Sequence, residues 1–203
     1  MKFTLYTADC TGNAKNTNYP HQKVITSEAD LKKAVAFDHV CALYDNFSRS
    51  DTNFQLSDVV PMDCDNDHSD DTDEWITPEK LSEMLTDVAF AVTYSRHHML
   101  AKGSVSARPR FHVFFPTTPC KDATFHKAIK TRIYKELPFF DGNALDASRF
   151  LQNDGKLKEL VGTWEGTFEG RNATLNITTA NSEGLKATIH VQLSLIHISE
   201  PTR

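Results

Sequence analysis

Six aspartates fall within eleven residues, at Asp63, Asp65, Asp67, Asp70, Asp71 and Asp73, directly after the apolar run Val59-Val60-Pro61-Met62. An extended segment sends alternate side chains to one face, so Asp63 and Asp65 would share a face and together hold a hard divalent cation. Two such ions roughly 4 Å apart are the device that stabilises attacking and leaving oxygens in phosphoryl and nucleotidyl transfer. A second group lies downstream in Arg108-Pro109-Arg110-Phe111-His112, where His112 sits in an apolar strand and shares a face with Arg110. Guanidinium groups suit bidentate phosphate binding, and Ser95-Arg96-His97-His98 adds more of the same chemistry. A third acid follows in Phe139-Phe140-Asp141, with Asp146 and Arg149 close behind.

The acidic run also fits a calcium loop in part. Asp63, Asp65, Asp67, Ser69, Asp71 and Glu74 fall at the ligand positions of an EF-hand register. That register fails where it needs a turn glycine and finds His68, and the incoming segment carries Pro61 and reads as extended rather than helical. The later acids, Asp67 to Glu74, read as a solvated loop ahead of a helix.

Charge is unevenly spread. The net charge is −5, yet Asp58 to Asp87 carries eleven acids against Lys80 alone, while Ser95 to Lys135 carries nine Lys or Arg against Asp122 alone. An acidic lip beside a basic surface suits polyphosphate or nucleic-acid chemistry, although two solvated faces of opposite sign would look the same. The four cysteines are scattered without a Cys-x-x-Cys pair, which argues against a zinc knuckle or a disulfide framework. No membrane span or signal peptide is evident, so a cytoplasmic protein is expected.

The elements that must position these residues alternate between strand and helix patterns. Strands are expected at 2–7, 40–44, 57–62, 88–94 and 111–115, with a loop running from the first of them to residue 22. Helices are expected after a Thr26 or Ser27 cap, over 78–85 after a Thr77 cap, over 123–135, and briefly over 144–151. This makes an α+β domain over 1–151. Residues 152–194 instead carry three alternating segments with Gly or Asn turns, a β-meander pattern. The Asn-x-Ser/Thr sites at Asn46, Asn172 and Asn176 read as chance occurrences in a cytoplasmic chain.

In order, a hydrophobic strand ending in Asp-x-Asp, a later strand carrying His, and a hydrophobic pair followed by Asp resemble the catalytic core of the archaeo-eukaryotic primase superfamily. Three words carry the likeness to primase-polymerases of phages, plasmids and integrated elements of Firmicutes. They are Pro61-Met62-Asp63-Cys64-Asp65-Asn66-Asp67-His68, Ala107-Arg108-Pro109-Arg110-Phe111-His112-Val113-Phe114-Phe115-Pro116, and Asn143-Ala144-Leu145-Asp146-Ala147-Ser148-Arg149-Phe150-Leu151. The resemblance covers about 1–151.

It implies an RRM-like mixed sheet with helices and a DNA primase/polymerase activity, a two-metal nucleotidyl transfer making primers on a template during mobile-element replication. Asp63 and Asp65 match the metal pair and His112 the nucleotide-binding histidine. Asp141 fits the remaining metal ligand, with Asp146 as the alternative, which could instead start a short helix or orient Arg149. Ser95, Arg96, Arg108, Arg110 and Arg149 would meet triphosphate or template phosphates. Implied companions are Mg²⁺ or Mn²⁺, a dNTP or NTP, a single-stranded DNA template and a replicative helicase. A non-catalytic replication-initiator or DNA-binding fragment and a metal-dependent nuclease are the alternatives.

Beyond Leu151 the resemblance stops, so the catalytic domain is expected to be cut short there. The segment 161–168 looks like the start of a lipocalin-like or lipoprotein β domain. The end of the chain, 195–203, resembles translated adapter sequence, and the reading frame is expected to be chimeric.

Overall fold

Two four-stranded sheets are built almost entirely from the strand patterns of the first 151 residues. The computed structural model describes residues 1–152 and the backbone of 162–168, 171–181 and 184–191. The chain divides into two compact units, Met1–Gly155 and Lys156–Arg203.

In the first unit, β1 (Phe3–Thr7) pairs with β2 (His21–Ile25) on one side and with β3 (His39–Val40) on the other. The pair β3 and β8 (Phe150–Leu151) completes the order β2-β1-β3-β8. The second sheet has the order β4-β5-β7-β6, from β4 (Leu43–Tyr44), β5 (Phe54–Cys64), β6 (Ala91–Tyr94) and β7 (Phe111–Cys120). Every pairing in both sheets is antiparallel, which corrects the expectation of a mixed sheet. The α+β class itself holds.

Three helices flank the sheets. Ser27, the N-cap of α1 (Glu28–Val35), accepts a bond from the Asp30 amide, and Leu31, Ala34 and Val35 form the buried face. Thr77 caps α2 (Pro78–Met84), where Pro78 takes the first turn, in which an N–H would go unused. Asp122 caps α3 (Ala123–Glu136) through the amides of Thr124 and Phe125.

Alternation divides the core into layers. Val59 of β5 and Phe114 of β7 pack with Phe3, Leu5, Ile25, Leu151 and the inner face of α1. The opposite face of the same strands presents Val60, Met62, Cys64, Phe111, Val113 and Phe115 to Leu81 of α2 and to Ile129 and Ile133 of α3. The second sheet is therefore buried on both faces, which explains why its central strands read as nearly continuous apolar runs. All four cysteines are free, and Cys41, Cys64 and Cys120 are buried packing groups.

Three local expectations change. The run 40–44 is not one strand, because its halves join different sheets, β3 in the first and β4 in the second. A strand, β2, occupies part of the expected loop, with four of its five side chains exposed. The expected helix over 144–151 is absent. Its place is taken by a single 3₁₀ turn, Gly142–Ala144, and by β8.

The second unit is a three-stranded antiparallel sheet, β11-β10-β9, formed by β9 (Gly162–Phe168), β10 (Arg171–Asn181) and β11 (Gly184–Val191). This is the meander expected there. The end segment 195–203 lies outside the described residues. Among the described residues, no helix is long and apolar enough to cross a membrane.

His39 of β3 is fully buried, its Nδ1 donates to the Phe37 carbonyl at 2.9 Å, and its ring lies 6.1 Å from that of Phe114. Burial lowers its pKa to about 4, with nearby His112 acting in the same direction and the Phe37 bond opposing it. An unfolded chain with a histidine pKa of about 6.5 takes up a proton between pH 6.5 and 4 that the folded chain refuses. Stability is then complete above about pH 6.5 and falls by about 3 kcal/mol as the pH drops to 4. His126, also lowered by burial, adds to the same trend. In urea unfolding, His39→Gln should flatten this pH dependence by most of that amount, and an unchanged slope would contradict the assignment.

Candidate active site

Asp63 lies inside β5 rather than beyond its end, and its Cα partner across the ladder is His112 of β7. Thr93 of β6 is opposite His112 in turn, so the three form one row across the sheet. Directly opposed residues point to the same face, here the face that packs against the first sheet. Asp63 is 6% exposed and His112 equally enclosed. Cys64, between the two acids of the motif, points to the other face, where burial pushes its thiol up to about 12 and leaves it inert.

A buried carboxylate is costly unless a cation meets it. Arg149 supplies that cation from the residue just before β8. Its Nε and Nη2 donate to Asp63 Oδ2 at 3.0 and 2.6 Å. Asp141 Oδ2 lies 4.0 Å from the same Nη2, and the Asp141 amide donates to the Asp63 carbonyl at 2.8 Å. Asp63, Asp141 and Arg149 thus converge although 86 residues separate the first from the last.

The segment carrying Asp141 and Arg149 is pinned along its length. Lys130 of α3, fully buried, donates from Nζ to the carbonyls of Ala144 at 2.6 Å and Asp146 at 3.0 Å. The Tyr44 hydroxyl donates to the Ala147 carbonyl and Arg49 to that of Ser148. These tertiary donors take the carbonyls that a helix would have used, the physical reason the expected helix does not form. Burial lowers the Lys130 pKa, while Asp63 and Asp146 oppose that shift. Lys130 was not singled out from the sequence, where it is one of nine basic residues in a stretch read as surface.

Asp65, the second acid of the motif, is near enough to Asp63 for the two charges to act on one another. Past the end of β5 its carboxylate lies 3.7 Å from Lys102 Nζ, and burial raises its pKa. The chain turns at Asn66, in the left-handed region with φ 55°. Asn66 is fully buried, donating to the Ile76 and Pro109 carbonyls and accepting from the Ile76 amide. A short amide able both to adopt that conformation and to bond in both directions is what such a turn requires. Ser95 begins the connection that bears Lys102, and its amide is bonded to the Arg110 carbonyl. Arg96 reaches back to lie against Gly12, whose φ of 76° is in the region that favours glycine.

Arg108 and Arg110 are among the largest buried side chains. Arg108 donates to the carbonyls of Asn66 and Ser69, to Asp70 Oδ1 at 2.7 Å and to Ser106, and stacks over Trp75. Arg110 donates to the carbonyls of His97 and Leu100. Both guanidinium groups organise loops of this chain, and neither is open to a phosphate from solvent. The later aspartates are solvent-exposed, as expected, but their backbone is stitched down by Arg108, Asn66 and the Trp75 indole, which donates to the Ser69 carbonyl.

Of the two candidates for the third acid, Asp141 is the one that shares Arg149 with Asp63. The Asp146 carboxylate accepts a 3.4 Å bond from Ser148 and acts on Lys130 and Arg149 through its charge. Among the described residues, no three His, Cys, Asp or Glu side chains are gathered to hold a metal ion in this conformation. The donor chemistry nevertheless suits a hard cation. Asp63 and Asp141 offer carboxylate oxygens, and Asp63 Oδ1 is buried without accepting a hydrogen bond.

Arg108→Leu should lower stability by about 3 kcal/mol, because it strands the carbonyls of Asn66 and Ser69 and removes the packing of a buried side chain. Amide exchange should accelerate over residues 66–75 first. Unchanged stability with weakened nucleotide binding would return Arg108 to a phosphate-contacting role.

No family model, curated protein or solved structure matches the chain.

Proposed function

We propose that the first unit is a primase/polymerase-type nucleotidyltransferase that extends a strand on a single-stranded DNA template. The observation that carries this reading is the convergence, on one inter-sheet face, of Asp63, His112, Asp141 and Arg149. Asp63, His112 and Arg149 come one each from the three separate sequence words that resemble the archaeo-eukaryotic primases, and Asp141 lies two residues before the third. A chance likeness in three words has no reason to bring these residues into one place.

Each residue has a chemical task in this reading. Asp63 and Asp141, with Asp65 at the strand exit, would hold Mg²⁺ or Mn²⁺, and that metal would activate the attacking 3′-hydroxyl and neutralise the triphosphate. His112, rigid in a central strand, orients the incoming dNTP or NTP from beside Asp63. Arg149 offers a planar fork suited to a phosphate, and Arg96 with Ser95 lies on the connection that also carries Lys102. Arg108 and Arg110 serve indirectly by fixing the loops on either side of Asp65. Template choice comes from base pairing, so the protein grips only backbone, through exposed lysines and arginines. A replicative helicase is the partner that would supply the single strand.

Primer synthesis on single-stranded DNA with Mn²⁺ and dNTPs tests the reading, comparing the native chain with Asp63→Ala plus Asp65→Ala. The expected result is product from the native chain and a loss of at least a hundredfold in the variant. DNA binding by both proteins without product from either would favour a non-catalytic replication-initiator role. Degradation of labelled DNA in the absence of dNTPs would favour a nuclease.

A further inference from the structure

Arg149 uses its fork unusually. In a bidentate arginine–carboxylate pair each oxygen takes one N–H. Here both donors, Nε and Nη2, meet the single oxygen Oδ2 of Asp63, while Oδ1 stays buried and accepts no hydrogen bond. The same Nη2 is 4.0 Å from Asp141. One guanidinium therefore stands between the two carboxylates best placed to hold a cation.

We propose that Arg149 is a built-in counter-cation that occupies the divalent-ion position between Asp63 and Asp141 and must swing out before an ion binds there. The proposal rests on the metal-dependent reading of this site. Two carboxylates facing each other in an enclosed place repel unless a positive charge separates them, and a divalent ion added beside the guanidinium would be repelled in turn. The two cations are thus alternatives.

The side chains are built for such an exchange. Asp63 is held in a central strand with its side chain 7% exposed, whereas that of Arg149 is 32% exposed and has a route to solvent. The Arg149 backbone is fixed by its neighbours, through the Arg49 bond to Ser148 and the pairing of β8 with β3, so the movement is a rotation of the side chain. A guanidinium released from Asp63 stays beside the site, positioned to meet an incoming phosphate. Metal entry and triphosphate entry then favour the same state of Arg149, and each promotes the other.

Calorimetric titration of the full chain with Mn²⁺ alone tests this, using the native protein, Arg149→Gln, Arg149→Lys and Asp63→Asn, each checked for folding by circular dichroism. Arg149→Gln should bind Mn²⁺ at least tenfold more tightly than the native chain, and adding Asp63→Asn to that variant should abolish the gain. Should the glutamine variant fail to fold, Arg149→Lys provides the reading, because a single ammonium cannot span both carboxylates, and a several-fold tightening is expected. Equal or weaker Mn²⁺ binding in the folded variants overturns the proposal. If that binding still depends on Asp63, the metal-dependent reading survives. Absence of Mn²⁺ binding from every protein tested overturns both.

Discussion

A carboxylate on the inner face of a two-sided sheet is the constraint on which the rest of this structure depends. Asp63 cannot be left uncompensated where Val59 and Phe114 exclude water, because burying a bare charge costs several kcal/mol. Its partner must come from elsewhere, and Arg149 comes from far along the chain. Bringing it there requires the segment 141–151 to pass through a single 3₁₀ turn and on into β8 rather than coil into a helix. The Lys130, Tyr44 and Arg49 bonds and the short β3–β8 pairing all serve that course. Two strands of only two residues each would be negligible as secondary structure. As the anchor of Arg149 they decide where the charge centre lies.

A second buried charge works in the same way at the other end of the motif. Arg108 is enclosed because the acidic loop folds over it, and the loop keeps its shape because Arg108 and Asn66 satisfy its carbonyls. The aspartates that crowd the sequence here thus divide into two groups. Asp63 belongs to the sheet and the inter-sheet face, and the exposed later acids belong to a loop that sets the course of the chain from Asp65 onward. The two groups touch different arginines, Arg149 and Arg108, and the fold keeps them apart.

Much of this could be read from residue order. Strong alternation and long apolar runs identified β1, β5 and β7, because each carries a run of buried residues. Capping residues located the first two helices to within a residue or two, because Ser27 and Thr77 act on amides three positions away, and the third was found without its Asp122 cap being recognised. What escaped was weak in local signal. The strand β2 is an edge strand with a mostly exposed pattern, His21-Gln22-Lys23-Val24-Ile25, and so lacks the alternation that burial imposes. The run 40–44 has an unbroken apolar look, yet its two halves serve different sheets. The segment 144–151 carries a helical pattern but is held by tertiary donors.

The sequence by itself determined that Asp63 would sit on a strand, that His112 would sit on another, and that acids and arginines would crowd near both. These follow from periodicity and residue type, which act over a few positions. Only the tertiary structure decided which charge meets which. It placed His112 directly across from Asp63, turned the chain after Asp65 at the left-handed Asn66, enclosed Arg108 and Arg110, and chose Arg149 over the nine candidate cations between Ser95 and Lys135. The reason is physical: a buried charge is satisfied by whichever opposite charge the packed backbone delivers within 3 Å, and chain separation has no bearing on that delivery.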